Sequence, residues 1–124
     1  MHMHTPTATI SAQVSKIATA VQDVLTRGPS WCVTFESAAS SDIWVQFNAD
    51  MVNAAYPYAD DPLRRLSTLK ASELISWTPT KYVTVAMKST DAYAIAIWID
   101  HYFRDVLRCS DSYRVESKIE NLDA

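Results

Sequence analysis

The amino-acid sequence predicts an α+β domain, in which a small antiparallel sheet packs against three helices. Three segments carry apolar residues at three- and four-residue spacing, which is typical of helices, and the strand-like segments between them alternate apolar with polar residues. Strands that follow one another directly, rather than alternating with helices one by one, favour α+β over a parallel α/β sheet. With 124 residues, the chain has the length of a single domain, residues 1–124.

The first helix is predicted over residues 8–27. Its apolar stripe consists of Ile10, Val14, Ile17, Val21 and Leu25. Thr7 or Thr9 is expected to cap the start of this helix. Gly28 is expected to end it in a left-handed conformation, because glycine has no Cβ to clash there, and Pro29 prevents the helix from continuing.

Strands are predicted over residues 31–36, 43–48 and 82–87, and less strongly over 51–56, where alanine and asparagine disfavour a strand. Alternate residues of a strand point to opposite faces of the sheet. The aliphatic and phenylalanine positions therefore define an inner face, and the residues between them define an outer face. Together with the last helix, this predicts a buried core that contains Val33, Phe35, Val45, Val83, Val85, Ile95 and Ile99.

Two further helices are predicted over residues 62–76 and 90–109. Asp61 is expected to cap the first, with a proline at the first helical position. Ser89 or Thr90 is expected to cap the second, whose apolar stripe is broad enough to be buried.

The two ends of the chain lack a clear pattern. Residues 1–7 and about 112–124 are predicted to be flexible, as chain ends without packing contacts usually are. Tyr113 and Val115 are a weak signal for a short additional strand.

Charge and composition argue against several classes of function. Eleven Lys and Arg residues are scattered among fourteen acidic residues, for a net charge of −3, so no basic face for nucleic acid is predicted. No apolar stretch approaches the roughly 20 residues that span a bilayer. No secretory signal is visible, so a cytoplasmic protein without a membrane partner is expected. The acidic balance favours a basic protein partner.

The sequence predicts neither a metal site nor a cofactor. A single glycine rules out glycine-rich phosphate loops, and Cys32 and Cys109 form no CxxC motif or Cys/His cluster. Two reduced thiols packed as small apolar groups are the favoured interpretation, with one disulfide as the alternative. His2 and His4 are interpreted as part of a frayed terminus, with a weak metal-binding pair as the alternative.

No catalytic constellation is predicted, and the protein is not expected to be an enzyme. Asp100 and His101 are adjacent, but neighbours at i and i+1 on a helix do not face each other. No serine or cysteine is placed by the sequence to complete a triad. The outer face of the sheet offers Glu36 but no histidine or aspartate, which leaves acid–base catalysis without a partner group.

Aromatic residues outside the predicted core mark a candidate partner-binding surface. Alternation along their strands places Trp44 and Tyr82 on the outer face, and Tyr58 lies in a loop. Tryptophan and tyrosine dominate the energetics of protein interfaces. The predicted partner-binding residues are Trp44, Gln46, Asn48, Tyr82, Thr84, Glu36 and Tyr58. The alternative is that loops or the C-terminal segment cover these rings.

The order of elements resembles the type III secretion chaperone-like fold, which some bacterial immunity proteins share. The strands at 31–36 and 43–48 are similar to the first half of that fold. The stretch Leu74-Ile75-Ser76-Trp77-Thr78-Pro79, taken as the end of the second helix and followed by a strand and a long helix, is similar to the second half. The resemblance covers roughly residues 8–108 and extends to the TriTu type of immunity protein, although the Leu-Gly-Trp pattern of related domains lacks its glycine here.

The resemblance implies an immunity protein that occludes a cognate toxin, acting as a monomer or in a one-to-one complex. For the TriTu type, the toxin is Rhs-linked and ADP-ribosylates elongation factor Tu. The alternative is a secretion chaperone, which forms a homodimer around an unfolded segment of an effector. A small enzyme with an open sheet cavity and a small-molecule binding module are the remaining hypotheses.

Overall fold

The computed structural model describes residues 11–70 and 72–123. Within them the elements are, in chain order, α1 (Gln13–Arg27), β1 (Trp31–Ser37), β2 (Ser40–Asn48), β3 (Met51–Ala55), α2 (Pro62–Leu66), β4 (Ser72–Thr78), β5 (Tyr82–Met87), α3 (Ala92–His101), a π-helical segment (Tyr102–Val106) and β6 (Val115–Asn121). The strands form one antiparallel sheet in the order β4-β5-β3-β2-β1-β6. The predicted α+β class, a small antiparallel sheet with three helices, is confirmed.

One face of the sheet and the helices enclose the core. α1 and α3 pack against each other, and α1 also contacts β1 and β6. All residues predicted to be buried are at most 1% exposed, namely Val33, Phe35, Val45, Val83, Val85, Ile95 and Ile99. Because alternate residues of β1, β2 and β5 supply this core, the predicted assignment of the strand faces is correct.

α1 ends where the sequence predicts. The N–H of Gly28 donates to the carbonyl of Val24 at 3.1 Å, and Gly28 has a φ of 111°, which L side chains rarely adopt. In the described residues the helix begins at Gln13, whose N–H donates to the hydroxyl of Ser11 at 3.0 Å. The predicted caps Thr7 and Thr9 lie outside the described residues.

The helix predicted over residues 62–76 is wrong beyond its first turns. α2 stops after Leu66, although its start is as predicted: Oδ1 of Asp61 accepts a hydrogen bond from the N–H of Leu63 at 2.9 Å. The chain then enters the sheet as β4, an edge strand paired with β5. The leucine spacing carries a helical signal as far as Leu74, but Leu74 packs against the core from a strand. Pairing with β5 therefore overrides the local pattern.

The last helix also differs from its prediction at both ends. Oδ2 of Asp91 accepts a hydrogen bond from a backbone N–H of the first turn at 2.8 Å, so Asp91 is the cap rather than Ser89 or Thr90. After His101 the helix widens into the π-helical segment. The chain leaves helical geometry at Arg108, which has a φ of 63°.

The flexible C-terminal segment predicted from about residue 112 forms the strand β6 over most of its length. Val115 and Ile119 point to the inner face, and the N–H of Val115 donates to the side chain of Gln13 at 3.1 Å. β6 forms because it pairs with β1, a partner that is remote in the sequence. Residues 1–7, also predicted to be flexible, lie outside the described part of the chain.

Two further features bear on the predictions. The weaker strand predicted over residues 51–56 is present as β3. In the part of the chain that the structure describes, no helix is long and apolar enough to cross a bilayer.

Candidate functional site: the open face of the sheet

The face of the sheet opposite the helices is uncovered in the described part of the chain, and we call it the open face. Its residues alternate with core residues along the strands, and they are half-buried or exposed apart from the small Cys32 and Ala55. The open face consists of Glu73, Ser76, Thr78, Tyr82, Thr84, Ala86, Met51, Asn53, Ala55, Trp44, Gln46, Asn48, Cys32, Thr34, Glu36, Glu116, Lys118 and Glu120. An uncovered face that carries large aromatic side chains is a candidate contact surface.

Trp44 and Tyr82 lie on either side of Ala55 on the open face. Tyr82 pairs with Ala55 across β5 and β3. Val45 pairs with Ala54, so the next step of that register places Ala55 opposite Trp44. Ala55 is only 5% exposed, because two large rings flank its small side chain. Both aromatic residues therefore face outward, as their alternation with core residues predicts.

A row of polar side chains crosses the middle of the open face. Thr34, Gln46, Asn53 and Thr84 occupy paired positions on β1, β2, β3 and β5. Nε2 of Gln46 donates to Oγ1 of Thr34 at 3.0 Å, and the hydroxyl of Thr84 donates to Oδ1 of Asn53 at 2.8 Å. These bonds hold the side chains in place, which lowers the entropy cost of any contact that they make. Asn53 is a member of this row that sequence reasoning missed.

Two of the predicted binding residues make structural contacts instead. Nδ2 of Asn48 donates to two backbone carbonyls at the start of β1, each at 2.8 Å, and so joins β1 to β2. Tyr58 lies away from the open face, since its hydroxyl donates to the carbonyl of Val106 in the π-helical segment. The guanidinium of Arg65 stacks on the Tyr58 ring at 3.4 Å from its centroid. Tyr58 therefore does not lie beside Trp44, because its loop packs against the helical layer, and its part in partner binding stays a prediction.

The β6 edge of the open face is acidic. Glu36 of β1 lies directly opposite Glu116 of β6, and Lys118 and Glu120 follow along β6. Nζ of Lys118 lies 3.5 Å from Oε2 of Glu120. These side chains line a shallow concavity of about 360 Å³. Sequence reasoning found Glu36 but missed the β6 residues, for which the alternation of apolar and charged residues along β6 was the available signal.

Both cysteines are free thiols, as the favoured interpretation of the sequence expects. Cys32 belongs to the open face, and burial raises the pKa of its thiol, with the carboxylate of Glu120 adding to the effect. Burial also raises the pKa of the Cys109 thiol. A raised pKa disfavours the thiolate, so neither side chain has the features of an activated nucleophile.

The other concentration of polar groups lies on the helical side, around the fully buried Asp100. Its carboxylate accepts hydrogen bonds from the N–H and the hydroxyl of Ser11, at 3.1 and 2.5 Å, and from the hydroxyl of Tyr113 at 2.6 Å. Nη2 of Arg104 donates to the same carboxylate at 2.8 Å. Burial and the hydrogen bond to Asp100 raise the pKa of Tyr113. The four donors occupy the carboxylate, which joins the residue before α1 to α3 and to the segment before β6.

His101 takes no part in the Asp100 arrangement. Its buried Nε2 atom has no hydrogen-bond partner among the described residues, and its ring borders a groove between α3 and the segment that joins α2 to β4. The adjacent Asp100 and His101 therefore form no dyad of the kind that a catalytic triad requires.

Metal binding finds no support in residues 11–70 and 72–123, where no group of three or more His, Cys, Asp or Glu side chains is arranged around an ion. His2 and His4, the alternative metal-binding pair, lie outside these residues.

No family model, no curated protein and no solved structure matches the chain. A functional assignment therefore depends on the geometry of the open face and on the order of the elements.

Proposed function

We propose that the protein is an immunity protein, which binds a cognate toxin in the cytoplasm and occludes its substrate cleft with the open face. The observation that carries this proposal is the pair of outward-facing rings, Trp44 and Tyr82, on interior strands of a sheet that no described element covers. Large aromatic groups on an uncovered surface mark a site of protein contact.

The energetics of tight binding support a rigid aromatic site. Neutralisation requires slow dissociation, which a few desolvated anchors provide, each worth about 2 kcal/mol or more. Trp44 and Tyr82 offer large rings with few rotatable bonds. Around them, the hydrogen-bonded row that includes Gln46 and Thr84 supplies the polar contacts that an interface also needs.

The order of elements is a second support for the proposal. The chain keeps the order of three helices with strands after the first and the second, on which the resemblance to chaperone-like immunity proteins rests. It departs from that order in β4, which replaces the helix end predicted at residues 74–79, and in the added edge strand β6. If the protein is of the TriTu type, its cognate toxin ADP-ribosylates elongation factor Tu. Stoichiometric occlusion of such a toxin requires no catalytic residue from this chain.

Affinity and stability measured together test the proposal, with each secreted-toxin candidate encoded by an adjacent gene tried as the partner. Trp44→Ala is expected to weaken toxin binding about thirtyfold, the equivalent of about 2 kcal/mol, while the melting temperature changes little. Tyr93→Ala is the matched control, because it removes an exposed ring from α3, away from the open face. Unchanged toxin affinity in Trp44→Ala contradicts the proposal.

A secretion chaperone is the second candidate function. The observation that favours it is apolar exposure on the β4 edge strand, where Ile75 is 50% exposed. An unpaired edge strand is a template for pairing with another chain. The molar mass in solution separates the two functions: a monomer of 13.9 kDa supports the immunity protein, whereas a stable homodimer favours the chaperone.

A further inference from the structure

We infer that the toxin presents an arginine side chain to the open face, where it stacks on Trp44 and pairs with the carboxylates of Glu36 and Glu116. This inference rests on the proposed function and specifies the chemistry of the partner at the same face. The occupant of this part of the sheet is a basic segment of a protein.

Three side chains form a row across β6, β1 and β2. Glu116 pairs with Glu36, and Glu36 pairs with Trp44. The two glutamates are exposed and the tryptophan is half-buried. Directly opposed residues of antiparallel strands have Cβ atoms about 4.5–5.5 Å apart. A guanidinium seated on the indole of Trp44 is therefore within reach of the neighbouring carboxylates.

The two opposed carboxylates have no cation of their own. Like charges that lie directly opposite each other destabilise an antiparallel pair of strands. Within the described ranges, neither Glu36 nor Glu116 forms an ion pair, and the lysine of β6, Lys118, is paired with Glu120. A cation from a partner is attracted to both carboxylates and removes their mutual repulsion.

Contacts elsewhere in the chain show the geometry that we assign to the partner. The guanidinium of Arg27 lies over the Trp31 ring at 4.6 Å from its centroid, and that of Arg65 lies over Tyr58 at 3.4 Å. Trp44 has no such cation from the residues that the structure describes. A planar guanidinium can stack on an indole while its N–H groups donate hydrogen bonds to carboxylates. A lysine ammonium is not planar and makes this combination of contacts less well. The row therefore favours arginine over lysine.

The negative charge of the β6 edge of the open face favours a basic protein over an anionic partner. Glu36, Glu116 and Glu120 share the concavity at β6 with a single lysine. The whole chain has a net charge of −3. An acidic surface beside an aromatic ring steers basic proteins towards itself and repels nucleic acid.

Titration of the isotope-labelled full chain with penta-arginine, followed by nuclear magnetic resonance, tests the inference. Penta-arginine is expected to shift the indole N–H of Trp44 and the amides of Glu36 and Glu116, and penta-lysine is expected to bind about threefold or more weakly. Glu36→Gln should lower the affinity for penta-arginine about fivefold or more. Glu73→Gln is the matched control, because it removes one negative charge from the open face at its opposite edge, and it should leave the affinity unchanged.

Three results overturn the inference: no shift at Trp44, equal weakening in Glu36→Gln and Glu73→Gln, or equal affinity for the two peptides. The replaced glutamates are exposed, so both variants are expected to fold, and Glu36→Gln should melt no lower than the parent because a repulsion is removed.

The two tests fail in distinguishable ways. If Trp44→Ala weakens toxin binding but penta-arginine leaves Trp44 unshifted, the open face is an interface and only the arginine contact is wrong. If Trp44→Ala leaves toxin affinity unchanged, the proposed function of this face fails whatever the peptide does.

Discussion

The hydroxyl of Tyr113 donates a hydrogen bond of 2.6 Å to Oδ1 of Asp100, and this bond ties the segment before β6 to α3. Ser11, just before α1, donates to the same carboxylate. Asp100 thereby joins partners that lie 89 residues before it and 13 residues after it in the sequence. A buried charge is tolerated only when it is paired and hydrogen-bonded, so we expect Asp100 to be highly sensitive to substitution.

Asp100→Ala should lower the free energy of unfolding by about 3–5 kcal/mol, because it leaves the largely buried guanidinium of Arg104 with only the exposed carboxylate of Asp111, at 3.5 Å. Tyr113→Phe should cost about 1.5–3 kcal/mol, since it removes one hydrogen bond to a charged group. Urea denaturation measures both. Asp105→Ala removes an exposed carboxylate nearby and should change stability by about 0.5 kcal/mol or less. An Asp100→Ala variant as stable as Asp105→Ala would contradict the structural role of Asp100.

The second prediction about stability concerns Ile99, a buried residue of α3. Ile99→Ala removes a fully buried side chain and should lower the free energy of unfolding by about 2–5 kcal/mol. Ile75→Ala makes the same chemical change at a half-exposed position of β4 and should cost about 1 kcal/mol or less. Denaturation of both variants under identical conditions gives the comparison, and equal losses would show that the packing around Ile99 is misassigned.

The core and the orientation of the open face follow from sequence because they depend only on alternation within a strand. In β2, Val45 and Phe47 point inward, which fixes Trp44 and Gln46 on the other face without knowledge of the neighbouring strands. The same local rule identifies β5. The end of α1 is predictable for a similar reason, since the positive φ that ends the helix is set by one residue, Gly28.

The two edge strands are missed for different reasons: β6 pairs with β1, which is remote in the sequence, whereas β4 forms a hairpin with the adjacent β5. β6 forms by pairing with β1, and nothing in its own polar sequence reports that partner. β4 forms by pairing with β5, while the spacing of Leu66, Leu69 and Leu74 suggests a continuing helix. Because β6 was not predicted as a strand, the acidic residues that it brings to the edge of the open face were not predicted either. The position of Tyr58 away from the open face does not follow from its sequence, because contacts with the π-helical segment set it.

Buried tyrosines predict a loss of stability at alkaline pH. Tyr56 is fully buried and its hydroxyl donates to Asp60, and burial and then this contact raise the pKa of Tyr56 from 10.0 to about 12. The unfolded chain loses this proton near pH 10.0, whereas the folded chain keeps it until about 12. The unfolded state therefore binds fewer protons in this window, and the free energy of unfolding falls as pH rises through it.

Urea denaturation at a series of pH values checks this effect. The contribution of Tyr56 is fully present below pH 10.0 and is lost as pH rises through about 12. Tyr56→Phe has no ionisable group at this position, so it should lose less stability than the parent across the same window. Parallel losses in the parent and the variant would show that Tyr56 ionises alike in the folded and unfolded chains.

Trp44 and Trp98 should respond differently to the same substitution. Trp98 is 4% exposed, its ring stacks on Tyr102 with 5.4 Å between centroids, and its Nε1 donates to the hydroxyl of Ser72 at 3.2 Å. Trp98→Ala should therefore cost about 3–5 kcal/mol. Trp44 is half-buried and packs against the core cluster from the open face, so Trp44→Ala should cost less, about 1 kcal/mol.

Urea denaturation of the two tryptophan variants decides whether the ring of Trp44 is available to a partner. A small loss in Trp44→Ala beside a large loss in Trp98→Ala means that the indole of Trp44 contributes little to the fold and can serve binding. Equal losses would mean that Trp44 belongs to the core, because a ring that stabilises the fold to this extent is buried and inaccessible to a partner. The contact surface would then have to lie on the loops, on α3 or along the β6 edge.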